Sequence, residues 1–281
     1  MELPVAKASY QPSTDALVRA IKRVNVMLAR VLAQETPLDG AVAFTSADLP
    51  RIDFANAAYD VELRDGDDPN ALLNRIDAHF ADAGLTCHML HSAAAHWPAP
   101  LAEAIESRGY AKVTAEVRRL DHYAPPTRVL HDLQIIPARA AYGELHALFT
   151  EEARAERGGD DDFADQWARA MIDRLDEPRF EFFLGRIDRR PAGVAGVASL
   201  GQMGVIDGVY TAPAYRRRGL CATLMAHTLE HCQRALFEHV ILETIPGSDA
   251  ARLYERMGFR SVATIVGYHR GARERRLQIE N

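Results

Sequence analysis

Arg216, Arg217 and Arg218 stand side by side and are followed at once by Gly219. Upstream, Val205, Val209 and Thr211 alternate with Ile206 and Tyr210 in a strand that Pro213 stops, because proline cannot donate into a ladder. Downstream, Leu220, Leu224, Met225, Leu229, Cys232 and Leu236 recur at three and four, the spacing of one helical face. A strand therefore feeds the turn and a helix leaves it. The first turn of a helix has unpaired N–H groups and the positive end of the dipole, and glycine lets a ligand approach the backbone. Such a place suits a polyanion, most simply a pyrophosphate. A solvated basic turn is the plainer reading; the strand–turn–helix setting favours the anion.

Two further clusters invite chemistry. The run Glu151, Glu152, Glu156, Asp160, Asp161, Asp162 and Asp165 either focuses a negative potential on a cationic ligand or forms a solvated loop. His227 and His231 have the i, i+4 spacing of a metal pair. No carboxylate or cysteine stands at ligand spacing, and Cys232 points about 100° away on the helix, so they read as surface histidines and no metal is expected.

Lys and Arg number 33 against 39 Asp and Glu, a net charge of −6, which argues against nucleic acid as a partner. Cys87, Cys221 and Cys232 are scattered, which suits a reducing compartment. No basic-then-apolar leader and no run near the roughly 18 apolar residues of a membrane span are found, so a cytoplasmic protein without membrane contact is expected. With 281 residues the chain buries about three-quarters of its extended surface without a staple.

Stepping outward, residues 13–35 read as an amphipathic helix that Pro37 ends. Strands are expected at Ala41–Thr45 and Arg51–Leu63. A helix follows, with Asp68 as N-cap, Pro69 at its first position and Gly84 as its stop. A strand at Leu85–Leu90, a helix near Ala99–Arg108 and a strand at Tyr110–Leu120 complete the first half. Paired prolines in His122-Tyr123-Ala124-Pro125-Pro126-Thr127 mark a linker. Beyond it come a strand at 133–136, a helix from Arg139 to about Arg154 and another to Leu175. A hairpin, Phe180–Ile187 with Ala192–Leu200, turns at Asp188-Arg189-Arg190. The arginine loop with its strand and helix follows, then a strand at Val240–Ile245, a helix, and a strand from Arg260 to Tyr268. The basic stretch from Arg270 to Arg276 reads equally as a solvated tail or a subunit contact.

Tyr215-Arg216-x-x-Gly219-x-Cys221 resembles the pyrophosphate loop of the GNAT superfamily of acetyl-CoA-dependent N-acetyltransferases, whose pattern is Arg/Gln-x-x-Gly-x-Gly/Ala. Arg216 and Gly219 match, while Cys221 stands where Gly or Ala is usual. Leu253-Tyr254-x-x-x-Gly258-Phe259 is similar to the family's closing helix, with Gly247 where Asn is common. The resemblance covers residues from about 130 to 270 and implies the order β-α-α-β-β-β-α-β-α-β. A faint repeat adds to it: Leu85–Leu90 then Leu101 to Tyr110 has the layout of Val240–Ile245 then Ala250 to Phe259. Gly109-Tyr110 then matches Gly258-Phe259, Ile105 falls where Tyr254 sits, and the first half has no counterpart of the loop. Any strand–helix–Gly–aromatic–strand unit shares that layout. The expected fold is α/β (α+β): tandem GNAT-like units, 1–126 degenerate and 127–281 catalytic, each a mixed, mostly antiparallel sheet flanked by helices.

The resemblance assigns roles. The backbone of Val209, Tyr210 and Thr211 would pair with the pantetheine arm of acetyl-CoA. The loop residues Arg216, Arg217, Arg218, Gly219, Leu220, Cys221 and Ala222 would hold its pyrophosphate. Tyr254 would protonate the departing thiolate. Glu243 and Asp207 are the carboxylates nearest the expected cleft and could relay a proton through water, Asp207 sharing strand parity with Val209 and Thr211. The implied activity is acetyl transfer to a primary amine of a small-molecule or amino-acid-like acceptor, the acidic run favouring a cationic one. Alternatives are a non-catalytic acyl-CoA-binding module and an acyltransferase acting on a protein amine. A homodimer is left open.

Overall fold

The computed structural model describes residues 11–94 and 96–270; the basic stretch beyond Arg270 lies outside them. The first half contains α1 (Thr14–Leu32), β1 (Gln34–Leu38), β2 (Ala41–Thr45), β3 (Ala57–Val61), α2 (Pro69–Asp82), β4 (Met89–Ser92), α3 (Ala99–Ser107) and β5 (Tyr110–Leu120). The second contains β6 (Gln134–Pro137), α4 (Tyr142–Arg157), α5 (Asp161–Asp173), β7 (Phe180–Ile187), β8 (Arg190–Leu200), β9 (Met203–Thr211), α6 (Leu220–Arg234), β10 (His239–Thr244), α7 (Asp249–Arg256) and β11 (Phe259–Arg270). This second series follows the β-α-α-β-β-β-α-β-α-β order.

Local chemistry accounts for most of these elements. The Ser13 side chain caps α1 by accepting from the Ala16 N–H, and Leu17, Ile21, Val24 and Leu28 bury one stripe. Asp68 caps α2, with proline at the first position. Asp188 and Arg189 take φ of 50° and 62°, the backbone twist that a two-residue hairpin turn requires.

Three expectations need correction. The first helix ends at Leu32 rather than at 35, and Pro37, expected to end it, stands in β1, which is tolerated because β1 is an edge strand. The stretch expected as a strand at Arg51–Leu63 is extended only at Ala57–Val61. Before it the chain is knotted by buried Asn56, which accepts from the Ser46 N–H at 3.0 Å and donates to the carbonyls of Leu49 and Ile52. The fourth strand begins at Met89 rather than Leu85.

All eleven strands form one sheet, in the order β1-β2-β3-β4-β11-β5-β10-β9-β8-β7-β6. Each half sends its last strand into the other half's sheet. β11 lies between β4 and β5, and β5 lies between β11 and β10. The two halves repeat one another in register. Ala57 pairs with Met89 and Ala58 with Leu90, as Val205 pairs with Ile241 and Ile206 with Leu242. Tyr59 lies opposite Val42 as Asp207 lies opposite Gly196. His91 faces Gly267 as Glu243 faces Val117. α1, α4 and α5 bury one common core against the sheet, and α6 and α7 cover the other face of the second half.

Gly258 closes α7 with φ of 100°, and a Cβ there would lie 1.7 Å from the His122 carbonyl oxygen. Gly84, with φ of 68°, has nothing within 4 Å of the same position. Gly84→Ala should cost about 1–2 kcal/mol in urea unfolding and Gly258→Ala distinctly more, because backbone rather than a side chain must move. Equal losses would show that the linker yields freely.

Candidate functional site

The site begins where a ladder ends. β9 and β10 run parallel and pair from Met203–His239 to Ile206–Leu242, then part. At that point β9 is irregular. Gly208, with φ of 64°, makes a bulge in which two residues oppose Ala195 of β8. A Cβ at Gly208 would come within 2.6 Å of the Phe182 ring, so the bulge needs glycine.

The extra residue also overturns the expected parity of Asp207. Val209 packs with the cluster under α6 and α7, together with Ile206 and Tyr254. Asp207 points to the opposite face, where it accepts from Arg174 at 3.0 Å. Arg174 itself is buried and lies over the Phe54 ring at 4.4 Å, so a residue of the first half steadies a site in the second.

At the end of β9 the arginines divide their work. Arg216 folds back along the strand end: its Nε donates to the Thr211 carbonyl at 3.0 Å and it is ion-paired with Glu156. Arg217 takes φ of 60° and is largely exposed, 3.4 Å from Asp249. Arg218 lies 5.7 Å from the Tyr215 ring. Gly219 starts α6 with φ of 93°, and a Cβ there would stand 3.1 Å from the Arg128 carbonyl. Leu220 and Ala222 are buried. Arg128 was missed by sequence reasoning. It comes from beyond the paired prolines, with no motif spacing, yet its guanidinium donates to the Arg217 carbonyl at 3.3 Å. The next turn is tied in as well, since the Leu130 N–H donates to the Thr223 hydroxyl at 2.9 Å.

Cys221 stands at the wedge, its thiol pushed up to about 11 by burial. It stays protonated near neutrality and is no nucleophile. Tyr254 is 5% exposed, with its ring edge-on to Phe259 at 6.0 Å. Burial raises its phenol far above the usual value, and the nearby Cys221 and Asp207 add to this. Glu243, on β10, is exposed at the surface, with many protein atoms around its carboxyl. Loss of hydration, then the charge of Asp207, lifts its carboxyl to about 7. Its neighbour Ile241 belongs to the α1-side core, whereas Leu242 belongs with Tyr254. Glu243 and Asp207 therefore face one side of the sheet and Tyr254 the other, across the opening between β9 and β10.

The opening has what a coenzyme A arm would use. β9 beyond Ile206 is unpaired toward β10, and a helix start with exposed cations lies at the end of the strand.

Residues 142–259 match the acetyltransferase (GNAT) family model. This stretch is a GNAT acetyltransferase domain. Solved structures extend the likeness to the fold of nearly the whole chain. A GCN5-related N-acetyltransferase from Kribbella flavida is 17% identical, with 90% of this chain and 95% of that one covered and a TM-score of 0.60. A functionally unknown conserved protein from Staphylococcus epidermidis is 16% identical over 84% and 93%, with a TM-score of 0.60. A tandem GNAT protein from the clavulanic acid biosynthesis pathway is 12% identical over 92% and 96%, with a TM-score of 0.54. No curated protein matches the chain. The fold is one that supports acyl transfer, in a tandem arrangement.

The register equivalence shows what the first GNAT-like unit lacks. Tyr59 and His91 occupy the places of Asp207 and Glu243, and their rings stack at 4.8 Å and 6°. Burial drives His91 down to about 3, so it is neutral. The strands do not part after the bulge: Val61 pairs with Ser92, and the Ala93 N–H donates to the Val61 carbonyl at 3.1 Å. Lys22 then takes up the carbonyls of Ser92 and Ala94 at 2.5 and 2.7 Å.

The acidic run at the edge of the GNAT domain is largely paired. Asp160 and Asp162 hold Arg51, Asp161 holds Arg154, Glu152 holds Arg157, and Asp165 holds Arg169. Its field is spent within the protein. His227 and His231 each lie 5.0 Å from the Phe183 ring, and among the described residues no group of side chains suits a metal ion. No helix among them is long and apolar enough to cross a membrane.

The raised Glu243 carboxyl ties the site to stability. The folded state holds its proton up to about pH 7, whereas the unfolded chain releases it near pH 4.3. Its contribution is therefore intact in acid and is lost as pH rises through 7. Urea unfolding should show Glu243→Gln gaining stability relative to wild type between about pH 5 and pH 8. A pH-independent difference would place this carboxyl in bulk water.

Proposed function

We propose that the protein transfers an acetyl group from acetyl-CoA to a primary amine of a small-molecule or amino-acid-like acceptor by direct attack. The observation that carries this reading is the opening between β9 and β10, with Tyr254 on one face and the Glu243–Asp207 pair on the other. The pantetheine arm would lie along Val209, Tyr210 and Thr211, where backbone N–H groups could face the thioester oxygen. The pyrophosphate would rest on the loop from Arg217 to Ala222, with Arg128 adding a cation from the linker. The acceptor would enter from the opposite face.

The amine nitrogen attacks the thioester carbonyl carbon, and its proton passes through water to Glu243. Collapse of the tetrahedral adduct breaks the carbon–sulfur bond, and the thiolate takes the Tyr254 proton. A carboxyl near 7 suits a base at neutral pH, and a phenol raised by burial remains an acid there. Glu243 rather than Asp207 is assigned the base, because Asp207 is engaged by Arg174. A preference for cationic amines would rest on these two carboxylates rather than on the largely paired acidic run. Three cysteines without disulfides accord with a reducing compartment such as the cytoplasm.

A thiol-release assay with acetyl-CoA and pooled amines tests the reading. Tyr254→Phe should lower kcat about 10²-fold or more with little change in the KM for acetyl-CoA. The wild-type kcat/KM should rise with pH to a plateau above about 7, and Glu243→Gln should abolish that rise. Acetyl-CoA binding without thiol release on any amine would favour a non-catalytic acyl-CoA-binding module. A calorimetric titration showing no binding of acetyl-CoA would remove both readings.

A further inference from the structure

The second concave feature lies away from the opening, where the first half meets the far end of the GNAT domain's hairpin. A cleft of about 440 Å³ runs along α1, roofed by the ends of β3 and β8. That volume falls within the roughly 300–1,000 Å³ of small-molecule sites. Arg19, Lys22, Arg23 and Arg30 line it from successive turns of α1, and Arg179 faces them from the GNAT half. Asp60 is the single carboxylate among its lining residues.

The charges there are incompletely answered. Glu35 accepts from Arg30, and Glu177 from Arg179. Arg30 and Arg179, brought together from the two halves, still lie close enough for the charge of one to oppose that of the other. Lys22 has no carboxylate at ion-pair distance; backbone carbonyls hold it, burial works against its charge, and the charge of Asp60 offsets this only in part. Arg19 and Arg23 are exposed and have no acidic partner among the described residues. In a chain of net charge −6, five cations converging on one cavity run against the average. Concave walls concentrate such a field, and Arg side chains present forked donors to planar or tetrahedral oxyanions.

We propose that this cleft binds a small anion carrying at least two negative charges, a polycarboxylate or a phosphorylated compound, held between α1 and Arg179. Its oxyanions would meet Arg19, Arg23 and Arg179, while Asp60 would accept from a hydroxyl or amine of the same ligand. The site is separate from the opening between β9 and β10, and the proposal does not rest on acetyl transfer.

Calorimetry of the full chain with citrate and with inorganic pyrophosphate tests it. Pyrophosphate could also bind the arginine loop, so each probe is titrated into wild type, Arg217→Glu/Arg218→Glu and Arg19→Gln/Arg23→Gln. Binding of at least one probe is expected in the first two, weakening with added salt. In Arg19→Gln/Arg23→Gln it should fall about tenfold or more. Both arginines are exposed, so this variant should melt as wild type does; should it not, Arg179→Gln on the opposite wall provides the same readout. Binding that survives in the helix variant but vanishes in the loop variant would overturn the proposal. So would the absence of binding by either probe at millimolar concentration.

Discussion

The antiparallel ladder between β5 and β11 is the interaction on which the rest depends. It runs from Phe259–Leu120 to Arg270–Tyr110, with a bulge between Ser261 and Ala263. Each strand belongs by sequence to one half and by its outer neighbour to the other. The far end of β11 is embedded among first-half side chains. The Trp97 indole donates to the Val266 carbonyl at 2.8 Å, and Tyr268 is edge-on to Trp97 at 5.1 Å. At the matching place in β5, Arg118 donates to the Ala251 carbonyl of α7 at 3.1 Å. Removing either half would strip a full row of N–H and C=O groups of their partners, which water would have to satisfy at an exposed edge. The two units are therefore expected to unfold as one cooperative body.

That exchange also creates the opening. A parallel pair such as β9 and β10 has no hairpin to hold its ends together, so it parts where one strand stops matching the other. The Gly208 bulge lies at the parting, and β5, bonded to β10 from Thr244 to Ile241, holds β10 in place on its far side. The strand that keeps the opening from closing thus comes from the first half. Phe54 acts similarly on a smaller scale by seating Arg174 against Asp207.

What could be read in the sequence was what depends on neighbours along the chain. The Arg-rich turn, the closing helix with Tyr254 and Gly258, the hairpin at Asp188 and the caps at Ser13 and Asp68 are set by spacing over a few residues. Strand exchange was not legible, because alternation shows that β11 is a strand but not which strand it joins. Counting in twos through Gly208 puts Asp207 on the wrong face, and a glycine inside a strand is itself the sign of a bulge. Asn56 broke an expected long strand because its side chain bonds to a loop that periodicity does not describe. Arg128 could not have been found at all: nothing in an extended linker tells which turn it will cross.

Within one fold, the two units differ by very little in what makes an opening chemical. Tyr59 and His91 stand in register with Asp207 and Glu243, so backbone geometry brings both pairs to the same kind of place. In the first unit the pair is two stacked rings, one an imidazole that burial keeps neutral, and no charge is present to be relieved by parting the strands. In the second it is two carboxylates, and loss of hydration, with the charge of Asp207 adding to it, raises Glu243 to about 7, an energetic cost that hydrating or occupying the opening reduces. Like charges on adjacent strand ends favour separation, and stacked aromatics favour closure.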